Sequence, residues 1–326
     1  MNCYENLLDA IGNTPLVRVP FESKGKVYAK LEYLNPGGSI KDRAALYMIE
    51  QAERNGLIRP GGTLIEASSG NQGIATALIG AIKGYNVIIT VSDKISQEKQ
   101  KALRAYGAQL VVCSPALHLD DPNGYHATAV EIHRTTPNSF MLNQYFNPSN
   151  SAAHYHMLGP EMWRQTAGRI THYCAAAGSG GTVSGAGRFL KERNQDIKVI
   201  AVDAENSYRS TDKNPKPYKL EGIGVDYDTP HLHEHVIDQY ALVNDDDSIA
   251  MLQELATRYG FLVGPSSGAV ACAAQRIAKT LTEDDTMVII FGDSGRAYLS
   301  KDFYAHDQAP AYKTAVHKSP QADLVV

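Results

Sequence analysis

Thr63-Leu-Ile-Glu-Ala67 is a short apolar run that passes through Ser68-Ser69-Gly70-Asn71-Gln72 into a small-residue segment, Gly73 to Lys83; Gly84 closes that segment before a second run, Asn86 to Val91. Strand, glycine-bearing loop, helix with a glycine stop and strand again make a βαβ unit, the building block of a parallel sheet. The pattern continues with a helix from Ser96 to Tyr106, stopped by Gly107, and a strand from Gln109 to Cys113. After the polar stretch Asn143 to Asn150 it restarts. A helix is expected over Ser151 to Gln165, a strand over His172 to Ala177, a helix over Thr182 to Glu192 and a strand over Lys198 to Val202. Strands Gln239 to Val243 and Thr286 to Phe291, with helices Asp247 to Tyr259 and Ser267 to Lys279, complete the series. The fold class predicted is α/β, with two doubly wound lobes and largely parallel sheets. The lobes span residues 1–145 and 146–305, and a polar tail covers 306–326. Ser207 to Tyr218, polar and with two prolines, reads as a long loop and a candidate lid.

At 326 residues the chain exceeds the usual size of one compact domain, which favours two lobes with a site between them. A net charge of −4, with no basic run interleaved with aromatics, argues against nucleic acid. Cys3, Cys113, Cys174 and Cys272 form no Cys-x-x-Cys pair and read as reduced thiols. No apolar stretch reaches bilayer length and the start shows no signal pattern, so no membrane partner and a cytoplasmic location are expected. His231, His233 and His235 alternate, but after Thr229-Pro230 they read as an exposed segment and not as a metal site.

Three stretches carry chemistry. In Asn35-Pro-Gly-Gly-Ser39-Ile-Lys41-Asp42-Arg43, Ser39 and Asp42 have the spacing of a capping box, so a helix should begin at Ile40 with Lys41 in its first turn. The positive end of the macrodipole there disfavours an ammonium and favours the neutral amine that Schiff-base chemistry needs. A solvated surface lysine fits the same residues. The loop Ser68 to Gln72 suits a carboxylate or phosphate, because its small residues let several N–H groups converge at a helix start. Gly178-Ser179-Gly180-Gly181-Thr182, again between strand and helix, suits a phosphate monoester. A dinucleotide-binding reading competes, since Asp203 lies about 25 residues beyond Gly178, but Val183 occupies the third glycine position.

Together these stretches resemble the fold-type-II pyridoxal-phosphate family of cysteine synthases and cystathionine β-synthases, from about Leu7 to about Tyr304. The resemblance implies pyridoxal 5′-phosphate as cofactor and Lys41 as the Schiff-base lysine that also shuttles the Cα proton. It makes Asn71 the partner of the cofactor's phenolic oxygen and Gly178, Ser179, Gly180, Gly181 and Thr182 its phosphate cradle. Ser68, Ser69, Gly70, Gln72 and Gln144 match positions that hold the substrate carboxylate, with Gly222 and Tyr227 also against the substrate. Phe291-Gly-Asp293-Ser294 resembles the segment whose serine faces the pyridine nitrogen, which gives that role to Ser294, with Asp293 its neighbour. A homodimer is the family expectation.

The activity implied is β-replacement on a serine-type amino-acid donor by a thiol nucleophile. Glu221-Gly222-Ile-Gly224 resembles the loop of cystathionine β-synthases, which favours homocysteine as the thiol. Gln72, and Pro265 in Gly264-Pro-Ser-Ser-Gly268, depart from the family pattern. Cysteine synthase acting on O-acetylserine is the first alternative, and a siderophore-precursor synthase joining O-phosphoserine to an amine is the second. A dinucleotide-dependent oxidoreductase and a non-catalytic binder are the readings from other classes. The resemblance does not extend to haem-binding or adenosyl-effector regions, so neither form of control is expected.

Overall fold

A computed structural model describes residues 3–93, 95–113, 121–225 and 227–304; the expected polar tail, 306–326, lies outside the described residues. The chain opens with β1 (Leu16–Arg18), β2 (Lys26–Leu31) and α1 (Lys41–Arg54). It continues through β3 (Thr63–Ala67), α2 (Asn71–Lys83), β4 (Asn86–Ser92), α3 (Gln97–Ala105), β5 (Gln109–Cys113), α4 (Tyr125–Thr135) and β6 (Ser139–Met141). Strands β3 to β6 form a four-stranded parallel sheet in the order β5-β4-β3-β6. Next come α5 (Ser149–Ala153), α6 (Gly159–Gln165), β7 (His172–Ala176), α7 (Gly181–Arg193), β8 (Lys198–Ala204) and β9 (Gln239–Val243). Helices α8 (Asp245–Tyr259) and α9 (Pro265–Ala278) and strand β10 (Thr286–Phe291) close the series. The second sheet has six strands ordered β1-β2-β10-β7-β8-β9, and only its β1–β2 pair is antiparallel. Every residue of β10 is buried, as a parallel strand covered on both faces requires.

The sheets divide the chain differently from the expected boundary at 145. Strand β2 lies parallel to β10, with Tyr28 opposite Val288, so residues 16–31 belong to the larger sheet. The apolar pattern of β2 is interrupted by Lys30, which is fully buried and breaks the run that marks a core strand. A second difference falls in the expected helix from Ser151 to Gln165. Helix α5 begins earlier, at Ser149, and gives way to a π-helical turn, His154–Leu158, before α6. Pro160 stands in the first turn of α6, where its missing N–H is tolerated. The expected capping box does not form. Ser39 Oγ accepts from the Lys41 N–H at 3.2 Å, while the Asp42 carboxylate turns back to the Gly37 N–H at 2.6 Å.

Lys30 belongs to a buried ion cluster that ties the N-terminal strands to both helical layers. Arg43 grips Glu32 with two hydrogen bonds of 2.7 and 2.8 Å and reaches Glu161 of α6 at 2.9 Å; Lys30 Nζ meets the same Glu161 and the Thr14 carbonyl. Two cations face two carboxylates in a space closed to water, where Arg43 and Lys30 hold the Glu32 carboxyl down at about 2 against the cost of its burial. A depressed carboxyl adds stability above its ordinary value of 4.5 and loses it as pH falls toward about 2. Removing one partner leaves an uncompensated buried charge, so Arg43→Ala should destabilise the fold by about 3–5 kcal/mol in urea titration at neutral pH. The deficit relative to wild type should shrink as the pH is lowered through that acid range.

Candidate active site

Strands β3, β7 and β10 end near the start of α1, and two adjoining cavities open there. The inner one is lined by Lys41, Asn71, Gly178, Ser179, Gly180, Thr182, Gly222, Ser266 and Asp293 among others. The outer one, about 320 Å³, shares Lys41 and Asn71 and adds Ser68 to Gln72, Lys99, Gln144, Tyr145 and Glu221. Loops after the carboxyl ends of parallel strands are where open α/β sheets bind ligands. Lys41 is the first residue of α1 and remains partly accessible from the cavity. Its amine is shifted below the ordinary lysine range. Burial is the largest cause, opposed by the charges of Glu66 and Asp293. The direction is the one expected from the helix start, with burial as its largest cause.

The loop after β7 is built around glycines that have no room for side chains. Gly180 is left-handed, with φ +85°, and a Cβ there would stand 2.7 Å from the Leu232 backbone. A Cβ on Gly181 would lie 2.4 Å from Asn150 Oδ1. Asn150 donates to Ser179 Oγ at 3.0 Å and to the Gln144 carbonyl at 2.7 Å, so one side chain holds the phosphate loop against the substrate loop. Thr182 Oγ1 lies 3.2 Å from His154 Nε2, a histidine that burial pushes down to about 3 and so keeps neutral.

In the loop after β3, the Ser68 hydroxyl accepts from the Gly70 N–H at 3.2 Å, and Ser69 accepts from the Ser92 N–H at 2.8 Å. Gln72 is 1% exposed, and both ends of its amide lack a partner among the described residues. A buried amide with nothing to bond is a subsite waiting for a polar ligand. Glu66 lies beneath this loop. Burial pushes its carboxyl up to about 8, against the pull of the Gln144 and Asn143 backbone N–H groups and of Lys41.

Two expected site residues are not where the sequence reading puts them. Ser294 lines neither cavity; its hydroxyl caps a short 3-10 helix by accepting from the Arg296 N–H at 3.3 Å. Two other residues line the inner cavity in its place, Ser266, in the first turn of α9, and Asp293. Gly264-Pro-Ser-Ser-Gly268 carried the signal for Ser266, since it too follows an apolar strand-like segment and opens a helix. Tyr227 also lies outside both cavities, stacked on Phe146 and set edge-on to Tyr145, whose own ring faces the outer one. Burial raises the Asp293 carboxyl, while hydrogen bonds from Tyr298 and Asn71 and the Lys99 charge hold it down. Lys99 pairs with Glu221 at 3.0 Å, lies 4.4 Å from the centre of the Tyr298 ring, and shares Glu221 with Lys301. Of these outer-wall groups only Glu221 was marked in the sequence, because Lys99, Tyr298 and Lys301 come from other segments of the chain.

The dinucleotide reading fails on Asp203. Its carboxylate accepts from Ser207 and Ser210 and so folds the 207–218 loop onto the end of β8. That loop reaches the outer cavity through Tyr218.

Residues 7–293 match the family described as pyridoxal-phosphate dependent enzyme, and the chain belongs to it. It is 41% identical over 305 residues to cystathionine beta-synthase from Apis mellifera, covering 91% of this chain and 60% of that relative, so it spans well under two thirds of the relative's length. Cysteine synthase from Staphylococcus aureus strain N315 is 38% identical over 317 residues, covering 93% of this chain and 98% of that one. Among solved structures, an O-acetylserine dependent cystathionine beta-synthase from Helicobacter pylori aligns with TM-score 0.86 at 37% identity, over 94% of this chain and all of that one. An O-ureido-L-serine synthase aligns with TM-score 0.88 at 31% identity. The protein is thus an enzyme that depends on pyridoxal phosphate. Among the described residues no helix is long and apolar enough to cross a membrane.

The residues fit this cofactor: a glycine-rich cradle with the Ser179 and Thr182 hydroxyls for its phosphate, an amine held toward neutrality for its carbonyl, and unpartnered polar groups nearby. The cradle is the most exacting part. Gly181→Ala should force Asn150 off Ser179 and weaken pyridoxal-phosphate binding about tenfold or more, measured by equilibrium dialysis, since overpacking of this kind costs about 1–3 kcal/mol.

Proposed function

We propose that this enzyme replaces the β-substituent of a serine-type amino acid with an amino-acid thiol, and that the thiol is homocysteine, giving cystathionine. The observation that carries the reading is the outer cavity, which has polar groups for two amino acids. The Ser68–Gln72 loop and Gln144 form one wall, suited to the donor carboxylate. Lys99 and Glu221, paired with each other at 3.0 Å, form another; opening that pair would offer a cation to a second carboxylate and an anion to a second ammonium. Sulfide would need neither. The similarity to cystathionine beta-synthases points the same way, while the cysteine synthase of Staphylococcus aureus, matched over nearly its full length, keeps sulfide as the second reading.

When bound, pyridoxal phosphate supplies the electron sink that lets the Cα proton and the β-leaving group depart. Gly178 to Thr182 would hold its phosphate and Asn71 its phenolic oxygen. Ser266, and not Ser294, would be the hydroxyl that faces its pyridine nitrogen; a neutral hydroxyl there would not hold a proton on that nitrogen as a carboxylate would, which suits β-elimination. The Lys41 amine, kept uncharged by its buried position and so free to accept a proton, takes the Cα proton and returns it after the thiol has added. The unpartnered Gln72 amide and the Ser68 hydroxyl fix the donor carboxylate, so that the Cα–H bond faces Lys41.

Serine, O-acetylserine and O-phosphoserine, each offered with sulfide, cysteine and homocysteine and followed by mass spectrometry, should give cystathionine as the fastest product. Gln72→Ala should raise KM for the donor about tenfold, the effect of one lost charge-assisted hydrogen bond. Lys99→Met should raise KM for homocysteine and leave donor KM nearly unchanged. Faster turnover with sulfide, unaffected by Lys99→Met, would replace this reading with cysteine synthesis.

A further inference from the structure

Asp293 is a buried carboxylate in the wall of the inner cavity that none of the roles above uses. Its Oδ2 accepts hydrogen bonds of 2.7 Å from Asn71 Nδ2 and 2.6 Å from the Tyr298 hydroxyl. Among the described residues it forms no ion pair. Its slot is closely built: the Gly264 N–H donates to the Asp293 carbonyl at 3.0 Å, and a Cβ on Gly264 would stand 1.9 Å from Asp293 Oδ1. A buried carboxylate is costly, and two donors converging on one oxygen favour its ionised form.

A carboxylate only accepts, so the end of the Asn71 amide that faces it is the nitrogen. Turning the amide over would set its carbonyl against the carboxylate. We propose that Asp293 is a positioning residue, which locks the Asn71 amide with its donor end in the cavity wall and is itself held by Tyr298. Lys99 lies over the Tyr298 ring, within reach of the Asp293 charge, so the lock also borders the outer cavity. The proposal deepens the functional reading and rests on it, because Asn71 is the residue given to the cofactor's phenolic oxygen.

Holoenzyme absorption spectra and steady-state kinetics of wild type, Asp293→Asn and Tyr298→Phe test it. An asparagine at 293 presents either end of its amide, so Asn71 loses its fixed orientation. The visible band of the bound cofactor should move to shorter wavelength, and kcat should fall about tenfold with little change in donor KM, as for loss of one oriented hydrogen bond. Tyr298→Phe should shift the band in the same direction by less. Band position and kcat unchanged in both variants would overturn the proposal. Should Asp293→Asn fail to fold, Tyr298→Phe decides by the same criterion. A wild-type protein that yields no visible band with pyridoxal phosphate would instead overturn the functional reading itself.

Discussion

The bidentate grip of Arg43 on Glu32, extended to Glu161 and Lys30, is the constraint on which the site depends. Arg43 lies two residues beyond Lys41, in the same helical turn. By binding β2, α1 and α6 at one point, the cluster sets where α1 starts and therefore where the Lys41 amine emerges. Ion pairs of this kind give no large net stability when compared with an apolar core. Their geometry is what matters here, since an arginine fork admits few arrangements and an oily contact would admit many.

From that fixed start, removal of water does the chemical work. The Lys41 amine is lowered mainly by burial, and Glu66, whose charge would oppose this, is itself buried and raised to about 8. A lysine beside an ionised carboxylate is held protonated; beside a carboxyl that resists ionisation it is freer to act as a base. The surrounding loops are joined and not merely adjacent. Asn150 holds Ser179 and Gln144 together, and Asp293 holds Asn71 and Tyr298. The loops that line the two cavities are thus fixed to each other by the protein's own side chains.

Much of this was legible in the sequence where period and glycine placement speak locally. Strands β3, β5, β9 and β10 have the expected limits, and the two anion loops stand at strand-to-helix junctions as read. Strand β2 was missed because its buried Lys30 makes a core strand read as a polar segment, and only the distant Glu161 explains why a lysine is tolerated there. Ser294 was expected in the cavity, but Ser266 lines it instead, and both follow a glycine-bearing stretch. Which hydroxyl faces a cavity depends on the α9 start and the 3-10 turn after β10, and neither is visible in spacing. Lys99, Glu221 and Lys301 converge from residues far apart in the chain, so no window of sequence could contain them.

In the function proposed above, Lys41, and no other lysine, is the amine this fold has prepared for the cofactor. Reductive trapping with borohydride after addition of pyridoxal phosphate, followed by peptide mass mapping, measures it directly. A single pyridoxyl group on Lys41 is the result predicted. Label on Lys99 or on surface lysines with Lys41 unmodified, or no label at all, would contradict the account.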